Sequence, residues 1–503
     1  MQLKTLLGAI PVREIIGPAD RAVESIAYDS RRVQRNGLFV ALRGEKSDGH
    51  DFIGQAIEKG ATVIVAERAD KTSRATCVVV ENTRAAMADL SAKFFNFPAR
   101  KLKLAGVTGT NGKTTTTFLI KHICEKAGLR CGLLGTVRYE IGERVLPAAR
   151  TTPESLDLQE LLAQIRDAGC RAAAMEVSSH ALAQERTRGL DWEVAVFTNL
   201  TQDHLDYHGT MENYFAAKAK LFEQLGQQEK KKKPIAVINV DDRYGQKLIE
   251  KIDRFATGRI RGGGKVSVVT FGTGLKADFR VSNYRMEFGG TSYQLDARGK
   301  SYLVRVPLIG RFNVVNSVAA LAAANALGIG LREAVLSLGK SPQVPGRLEM
   351  VPAKRQFQVF VDYAHTPDAL LNVIKTLREL EPRRLIVVFG CGGNRDREKR
   401  PLMGQVVDQN ADCAIITSDN PRKEDPDKII ADVEKGFRGN HFEKITDRAA
   451  AIARAVEIAQ PRDIVLIAGK GHENYQEFAD HTVPFEDIQV ARRAIESHPV
   501  EFK

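Results

Sequence analysis

The chain has 503 residues, 27% of them charged and 43% hydrophobic, an ordinary globular balance with length for roughly three domains. It holds no apolar run near the ~20 residues of a membrane helix, its first residues lack a signal peptide's cleavage pattern, and its six cysteines (77, 124, 131, 170, 391, 413) form no Cys-x-x-Cys pair. That argues against a membrane protein, a structural zinc site and a disulfide framework, and for a reducing cytoplasm. The net charge of +12 suits anionic small molecules; part of it is the run Lys230 to Lys233, read as a solvated loop. No helix-turn-helix, zinc-finger or aromatic RNA-recognition signature accompanies it, so neither nucleic acid nor membrane is the expected partner.

In chain order, residues 1 to about 101 read as a small mixed α/β module, with strands at 38–42 and 62–66 and a helix at 53–57 between them. From 102 strand–helix alternation sets in. Strands are expected at 103–105, 171–175, 194–197 and 235–238, with helices at 118–123 and 156–168. Between 265 and 307 shorter alternating strands with Gly-rich turns (272–274, 289–290) suggest an antiparallel patch. A helix at 315–327 leads to Pro342-Gln-Val-Pro345-Gly346, a plausible hinge. Strands at 359–361, 385–389, 414–416 and 464–467 then restore the alternation. The expected fold is α/β in three domains: an N-terminal mixed module (1–101), a central P-loop-type doubly wound domain (102–344) and a C-terminal Rossmann-like domain (345–503).

The strand before 106 runs into a Gly- and Thr-rich loop that opens a helix, the arrangement of a phosphate-binding loop. Gly106, Gly109 and Gly112 let backbone N–H groups turn around an anion, and the helix N-terminus adds donors and a positive dipole end. Lys113 would reach the outer phosphates of ATP or GTP, and the Thr114 hydroxyl would ligate Mg²⁺. Gly106 lies one residue further from Gly112-Lys113 than the usual spacing. A Gly triplet alone is more often an ordinary turn; the Lys-Thr at the helix start favours nucleotide.

Ligands of parallel sheets gather at strand carboxyl ends. There stand Glu176 with Ser178 and His180, and Asp203, His204, Asp206 and His208, a set able to hold Mg²⁺ near phosphates. Each also has a structural explanation, Glu176 as a helix cap and the His-Asp cluster as a hydrogen-bonded loop. The second half places Asp362 to Pro367, Gly390 to Asp396, Asp419 to Arg422 and Gly469 to Glu473 at strand ends. Arg, Asp, Asn and Glu converging there suit a zwitterion. For Arg395 and Arg422 the alternative is an internal ion pair with Asp396 or Asp425.

Thr108-Gly-Thr-Asn-Gly-Lys-Thr114, Glu176-Val-Ser-Ser-His180, Asp203-His204, Pro345-Gly-Arg347, Asp362-Tyr-Ala-His365 and Gly469-Lys-Gly-His472, in that order, resemble the Mur ligases over nearly the whole chain. Folylpolyglutamate synthetases share the loop but not usually Asp29-Ser-Arg31 or Asp203-His-Leu-Asp-Tyr-His208. The resemblance implies a monomeric, cytoplasmic, ATP-dependent amide ligase of peptidoglycan precursor synthesis. Asp419-Asn-Pro-Arg422 resembles the motif of members that add meso-diaminopimelate to UDP-N-acetylmuramoyl-L-alanyl-D-glutamate through an acyl phosphate; lysine-adding relatives lack its arginine.

By the same resemblance Ser30 would contact the uridine nucleotide, and Thr151, Thr152, Ser178, Gln184 and Arg186 the muramoyl peptide. Thr108, Gly109, Thr110, Asn111, Gly112, Lys113 and Thr114 would bind ATP. Arg395, Asp419, Asn420, Pro421, Arg422, Gly469 and Glu473 would hold diaminopimelate. Thr114, Glu176, His204 and Lys218 would place Mg²⁺, with Lys113, His204 and Lys218 as the catalytic set. Lys218 matches a lysine that relatives carry as N6-carboxylysine; from its helix alone it reads as a solvated surface lysine, with Lys220 as the control position. Two departures stand out: Asn394 where many relatives have aspartate, and Leu348 where methionine is frequent. The competing readings are the same ligase using L-lysine, a P-loop switch ATPase and a basic nucleic-acid-binding protein.

Overall fold

The computed structural model describes residues 1–44, 47–69, 74–228, 234–257, 266–353 and 355–497, which leaves the lysine run at 230–233 outside the described residues. The chain is mixed α/β and divides into two compact units, Met1–Arg280 with Ala297–Gly299 and Val318–Ser337, and Val281–Asp296 with Lys300–Ser317 and Leu338–Lys503.

The first unit contains two sheets. The N-terminal one runs in the order Glu14–Ile16, Thr76–Val79, Ala61–Ala66, Gly37–Val40, Ser25–Ala27. Only its first strand is antiparallel to its neighbour. Apolar runs such as Ala61–Ala66 are buried on both faces, the pattern of a parallel sheet covered by helices. One cover is the helix Thr83–Phe94, started by Asn82, whose side chain accepts the Ala85 N–H at 3.0 Å.

The second sheet of this unit centres on Lys103–Thr108, flanked by the parallel strands Val194–Phe197 and Ala172–Glu176. Ile235–Asn239 and Ser267–Gly272 continue one side, Cys131–Leu134 the other, all parallel. A hairpin that the sequence reading did not anticipate, Arg138–Ile141 with Arg144–Pro147, adds two antiparallel strands. Its turn needs positive φ at Gly142. The expected antiparallel patch begins later than anticipated, because Ser267–Gly272 pairs in parallel with Ile235–Asn239. The three strands after it in the chain, Phe279–Glu287, Gly290–Ala297 and Lys300–Val306, which fall mostly in the second unit, are sheet neighbours joined by two-residue links, which only antiparallel pairs permit.

The six-stranded sheet of the second unit runs in the order Glu349–Val351, Gln358–Asp362, Ile464–Ala468, Leu385–Phe389, Cys413–Ile416, Phe442–Lys444, parallel except the first. Alternate residues enter two apolar layers: Phe360, Val387 and Leu466 on one face, Val361, Val388 and Ile467 on the other. The strand ends therefore present Asp362 and the loops 390–396, 418–422 and 469–473 along one edge.

Candidate functional site

In the first unit the loop after Lys103–Thr108 is shaped by two glycines. Gly109 has φ +151° and a Cβ there would lie 1.9 Å from Thr198 Oγ1, so only glycine fits. Gly112, at φ 85°, is the left-handed residue that starts the 14-residue helix Lys113–Lys126. Gly106 has another reason to be glycine. It lies inside the strand, where a Cβ would meet the buried Trp192 ring at 2.6 Å. The odd spacing is thereby explained: Gly106 makes room for tryptophan and does not belong to the loop.

The loop is clasped by the next strand end. Asn199 O accepts the Thr110 N–H at 2.9 Å, Asn199 Oδ1 the Asn111 N–H at 2.9 Å, and Thr198 Oγ1 donates to Asn111 O at 2.6 Å. Lys113 Nζ donates to Gly109 O and Thr110 O at 2.9 and 2.8 Å, and Lys218 Nζ donates to the same Gly109 O at 2.8 Å. Two lysine nitrogens thus meet on one carbonyl. Lys218 is 1% exposed and lies over the Tyr214 ring at 4.6 Å. Burial first, and the Lys113 charge second, hold its pKa well below the usual lysine value. Lys220 reaches Glu185 at 3.6 Å with a side chain 40% exposed, so the buried lysine is 218 and not its control.

One hydrogen-bonded chain then links the predicted metal and substrate residues of this unit. Thr136 N and Oγ1 donate to the two oxygens of buried Glu176 at 2.8 and 3.1 Å, and Thr136 Oγ1 meets Thr151 Oγ1 at 3.0 Å. Thr152 Oγ1 donates to Glu176 O at 2.8 Å and accepts the Ser178 N–H at 3.0 Å. Arg186 donates to Thr152 O and Gln184 Oε1 at 3.0 and 2.6 Å, and pairs with Glu154 at 2.9 Å. Glu154 was not anticipated. Ser178, rather than Glu176, caps the short helix Ser179–Ala183. Gln184 reaches Tyr207 Oη at 3.3 Å, whose ring lies 4.3 Å from His180, itself 4.8 Å from His204. His204 sits at φ 53° beside Asp203, 3.4 Å away; burial lowers its pKa, against the pull of that carboxylate. Ser30 lies in the N-terminal sheet's own loop, where it donates to Gln55 Oε1 at 2.5 Å.

The donor set fits a nucleoside triphosphate: a glycine cradle, a helix start, the Lys113 ammonium and a Thr108 hydroxyl that is buried with no hydrogen-bond partner among the described residues. No three His, Cys, Asp or Glu side chains gather as a metal site among the described residues. Thr114, Glu176, His204 and Lys218 include two such side chains, which suits Mg²⁺, a cation that binds through few protein groups and keeps phosphate and water oxygens.

In the second unit Asn420 is the hub. Its Oδ1 accepts from Lys470 Nζ at 2.9 Å and from the Glu477 N–H at 3.0 Å, and its Nδ2 donates to Glu473 Oε2 at 2.9 Å. Lys470 is fully buried and also binds Glu473 Oε2 at 3.0 Å. Gly469 has φ +119°, and a Cβ there would lie 2.6 Å from Asp419 Oδ2. Arg422 pairs with Glu477 at 2.8 Å and not with Asp425, which caps the helix Pro426–Glu434 instead. Arg395 is exposed and makes no ion pair with Asp396, whose carboxylate accepts the Glu398 N–H. Asn394 takes φ 52°, a backbone that asparagine tolerates, and its Oδ1 accepts the Lys423 N–H at 3.0 Å. Pro421 O lies where a Cβ on Gly393 would be, 1.9 Å away, so the loops carrying Arg395 and Arg422 are pressed together. Leu348, the other departure, has φ 44° and donates its N–H to Asp362 Oδ2 at 2.7 Å.

Beneath these loops lies a pair that the sequence did not suggest. Arg448 binds both oxygens of Asp487 at 2.7 Å, neither side chain exposed, and donates to Ala468 O at 3.0 Å and Ser418 O at 3.4 Å. It thereby ties together the two strand ends that lead into Asp419 and Gly469.

Three family models match the chain: Mur ligase family, catalytic domain, over residues 22–95; Mur ligase middle domain over 107–324; and Mur ligase, glutamate ligase domain, over 346–471. The chain is 46% identical over 499 residues, 98% of its length and 99% of the relative's, to the UDP-N-acetylmuramoyl-L-alanyl-D-glutamate--2,6-diaminopimelate ligase of Geobacillus kaustophilus. A solved structure of an enzyme of that name aligns with TM-score 0.71 at 35% identity, covering 98% of this chain and 99% of the other. The MurF ligase from Thermotoga maritima in complex with ADP shares the fold, at TM-score 0.62 and 20% identity over 94% of this chain and 98% of that one.

Proposed function

Because this chain belongs to the Mur ligase family, we propose that it joins meso-diaminopimelate to UDP-N-acetylmuramoyl-L-alanyl-D-glutamate at the expense of ATP, in cytoplasmic peptidoglycan precursor synthesis. It is an ATP-dependent ligase that forms a C–N bond. The observation that carries the substrate is the loop at 419–422, where Arg422, Asn420 and Asp419 stand beside Glu473 and buried Lys470. Mixed charge at one strand edge suits a molecule with two carboxylates and two ammonium groups, and lysine lacks the second carboxylate. The names of the relatives support the same reading. The three domains are read as 1–101, 102–344 and 345–503, and the enzyme as a monomer.

The reaction takes two steps. The D-glutamate carboxylate attacks the γ-phosphorus of ATP, giving an acyl phosphate and ADP; the amine of diaminopimelate then attacks the acyl carbon, loses a proton and expels phosphate. Two anions must meet in the first step. Lys113, on the loop, neutralises phosphate charge there, and the helix start orients the phosphates. Mg²⁺, held by Thr114, Glu176, His204 and a carboxylated Lys218, would neutralise more of it. Thr151, Thr152, Ser178, Gln184 and Arg186 orient the peptide, with Ser30 at the uridine end. Arg395, Asp419, Asn420, Pro421, Arg422, Gly469 and Glu473 position the amine. The lowered pKa of Lys218 favours the carboxylated form, since a neutral amine adds CO₂ and an ammonium does not.

Phosphate release with UDP-N-acetylmuramoyl dipeptide, ATP and one amino acid at a time tests the assignment. Release with meso-diaminopimelate far above L-lysine, L-ornithine or none, with a tripeptide of the right mass, is the expected result. Preference for lysine would keep the ligase and remove the motif argument; equal release without any amino acid would favour a switch ATPase. For Lys218, ¹³C-bicarbonate should give one carbamate resonance that Lys218→Ala loses and Lys220→Ala keeps.

A further inference from the structure

We infer that Glu477 is a positioning and specificity-determining residue, the internal partner that aims Arg422 at the second carboxylate of the amino-acid substrate. The inference rests on the diaminopimelate reading above. Arg422 is gripped by the segment around 477 through both main chain and side chain. Its N–H donates to Glu477 O at 3.0 Å and it bridges in parallel to Phe478, which holds Arg422 in the left-handed conformation at φ 52°. Its Nε donates to Glu477 Oε2 at 2.8 Å, and its Nη1 to Gly393 O at 3.0 Å. The glycine at 392 is part of the fit, since a Cβ there would lie 3.0 Å from Nη1.

A guanidinium has five N–H groups in a fixed fork. With Nε and one Nη1 hydrogen engaged, one N–H on Nη1 and two on Nη2 are left for a ligand. A substrate carboxylate can therefore be received by Nη1 and Nη2 together while Glu477 stays on Nε. The pair is arranged to bind side by side rather than to compete. It also changes the basis of selection. If lysine occupies the site, Arg422 is not left without a counter-charge, because Glu477 already supplies one. Discrimination then comes from what the aimed fork adds for diaminopimelate, more than from a penalty for leaving it empty. Glu477 is tied to the substrate site at its other end too, since its N–H donates to Asn420 Oδ1 at 3.0 Å.

The test compares Glu477→Ala and Glu477→Gln with the unaltered enzyme, measuring kcat and KM for meso-diaminopimelate and kcat/KM for L-lysine. Glu477 has a side chain 40% exposed, and thermal melting of both variants checks that they are folded. Loss of a charge-assisted hydrogen bond is expected to raise KM for diaminopimelate about tenfold in Glu477→Ala. The expected kcat and lysine kcat/KM stay within about twofold of the unaltered enzyme. Glu477→Gln, which keeps an acceptor oxygen for Nε, should recover most of the diaminopimelate KM. An unchanged or lower KM in Glu477→Ala would show that Glu477 competes with substrate and overturn the inference. So would an equal loss with both amino acids, the mark of a merely structural residue. Absence of diaminopimelate-dependent turnover in the unaltered enzyme would instead overturn the functional reading beneath it.

Discussion

The two sites handle positive charge in opposite ways. At the phosphate loop, Lys113 and Lys218 share the carbonyl of Gly109, where burial and then the Lys113 charge hold the Lys218 pKa down. At the amino-acid edge four cations are matched to carboxylates: Lys470 to Glu473, Arg422 to Glu477, Arg400 to Glu424 and Arg448 to Asp487. The first keeps the Lys113 ammonium on main-chain carbonyls beside the strand-to-helix loop. The second is neutralised beforehand, so it selects by the direction of its hydrogen bonds. On the proposed function the contrast has a reason, since a triphosphate needs charge and a zwitterion needs geometry.

The largest break in this comparison is expected from Lys113→Ala. Removing the loop ammonium should lower ATP-dependent phosphate release by about 10⁴-fold, the scale of losing a phosphoryl-transfer cation, with little change in melting temperature. A loss under tenfold would mean that the helix start and Mg²⁺ supply the charge without Lys113. Next comes Arg448→Met, which acts on stability rather than on a ligand contact. It strands Asp487 in the core and should cost about 3–5 kcal/mol in urea unfolding. Arg448→Met with Asp487→Leu should restore most of it; failure to do so would mean that the carbonyl bonds to Ser418 and Ala468 matter more than the pair. Arg422→Lys keeps the charge and removes the fork. If geometry selects, kcat/KM for meso-diaminopimelate should fall about 100-fold while L-lysine use barely moves. A fall under threefold would put the second site in the same class as the first.

Much of this was legible before any coordinates. Parallel strands buried on both faces write continuous apolar runs, so the strand ends at which Glu176, Asp419 and Gly469 stand could be read from the sequence. Lys218 was placed near the phosphate loop by the family resemblance, while its helix read alone gave a surface lysine, which its burial contradicts. The buried residues of its helix are Tyr214, Ala217, Lys218, Ala219, Leu221, Phe222 and Leu225; all but Ala219 follow a spacing of three and four that includes 218 and leaves out 220. Reading lysine as a surface residue hid that periodicity. Glu477 and Arg448 were not legible. Each acts on a residue tens of positions away through tertiary contact, and nothing in the local pattern around either marks it. Gly106 was misassigned for the same reason, because its partner, Trp192, is distant in the chain.

The smallest expected effect is a pH dependence confined to the first site. His208 is buried, its Nε2 3.0 Å from Ser179 Oγ, and His180, His204 and Lys218 face it from neighbouring elements, with Asp206 the opposing carboxylate. Burial, then the neighbouring positive charges, push its pKa down to about 4 from 6.5. The native state thus stays neutral at 208 while the unfolded chain takes up a proton near 6.5. Between these two values the unfolded state binds more protons, so stability falls as pH drops from 6.5 toward 4 and the contribution levels off below that. One proton sets a ceiling of about 1.4 kcal/mol per pH unit on the slope. His208→Gln keeps a nitrogen donor for Ser179 and removes the titration, so its urea midpoint should vary less with pH across that window. Parallel curves for the two proteins would mean that His208 takes up its proton in the fold as it does in the unfolded chain, and that burial beside His180 and His204 leaves its pKa where it was.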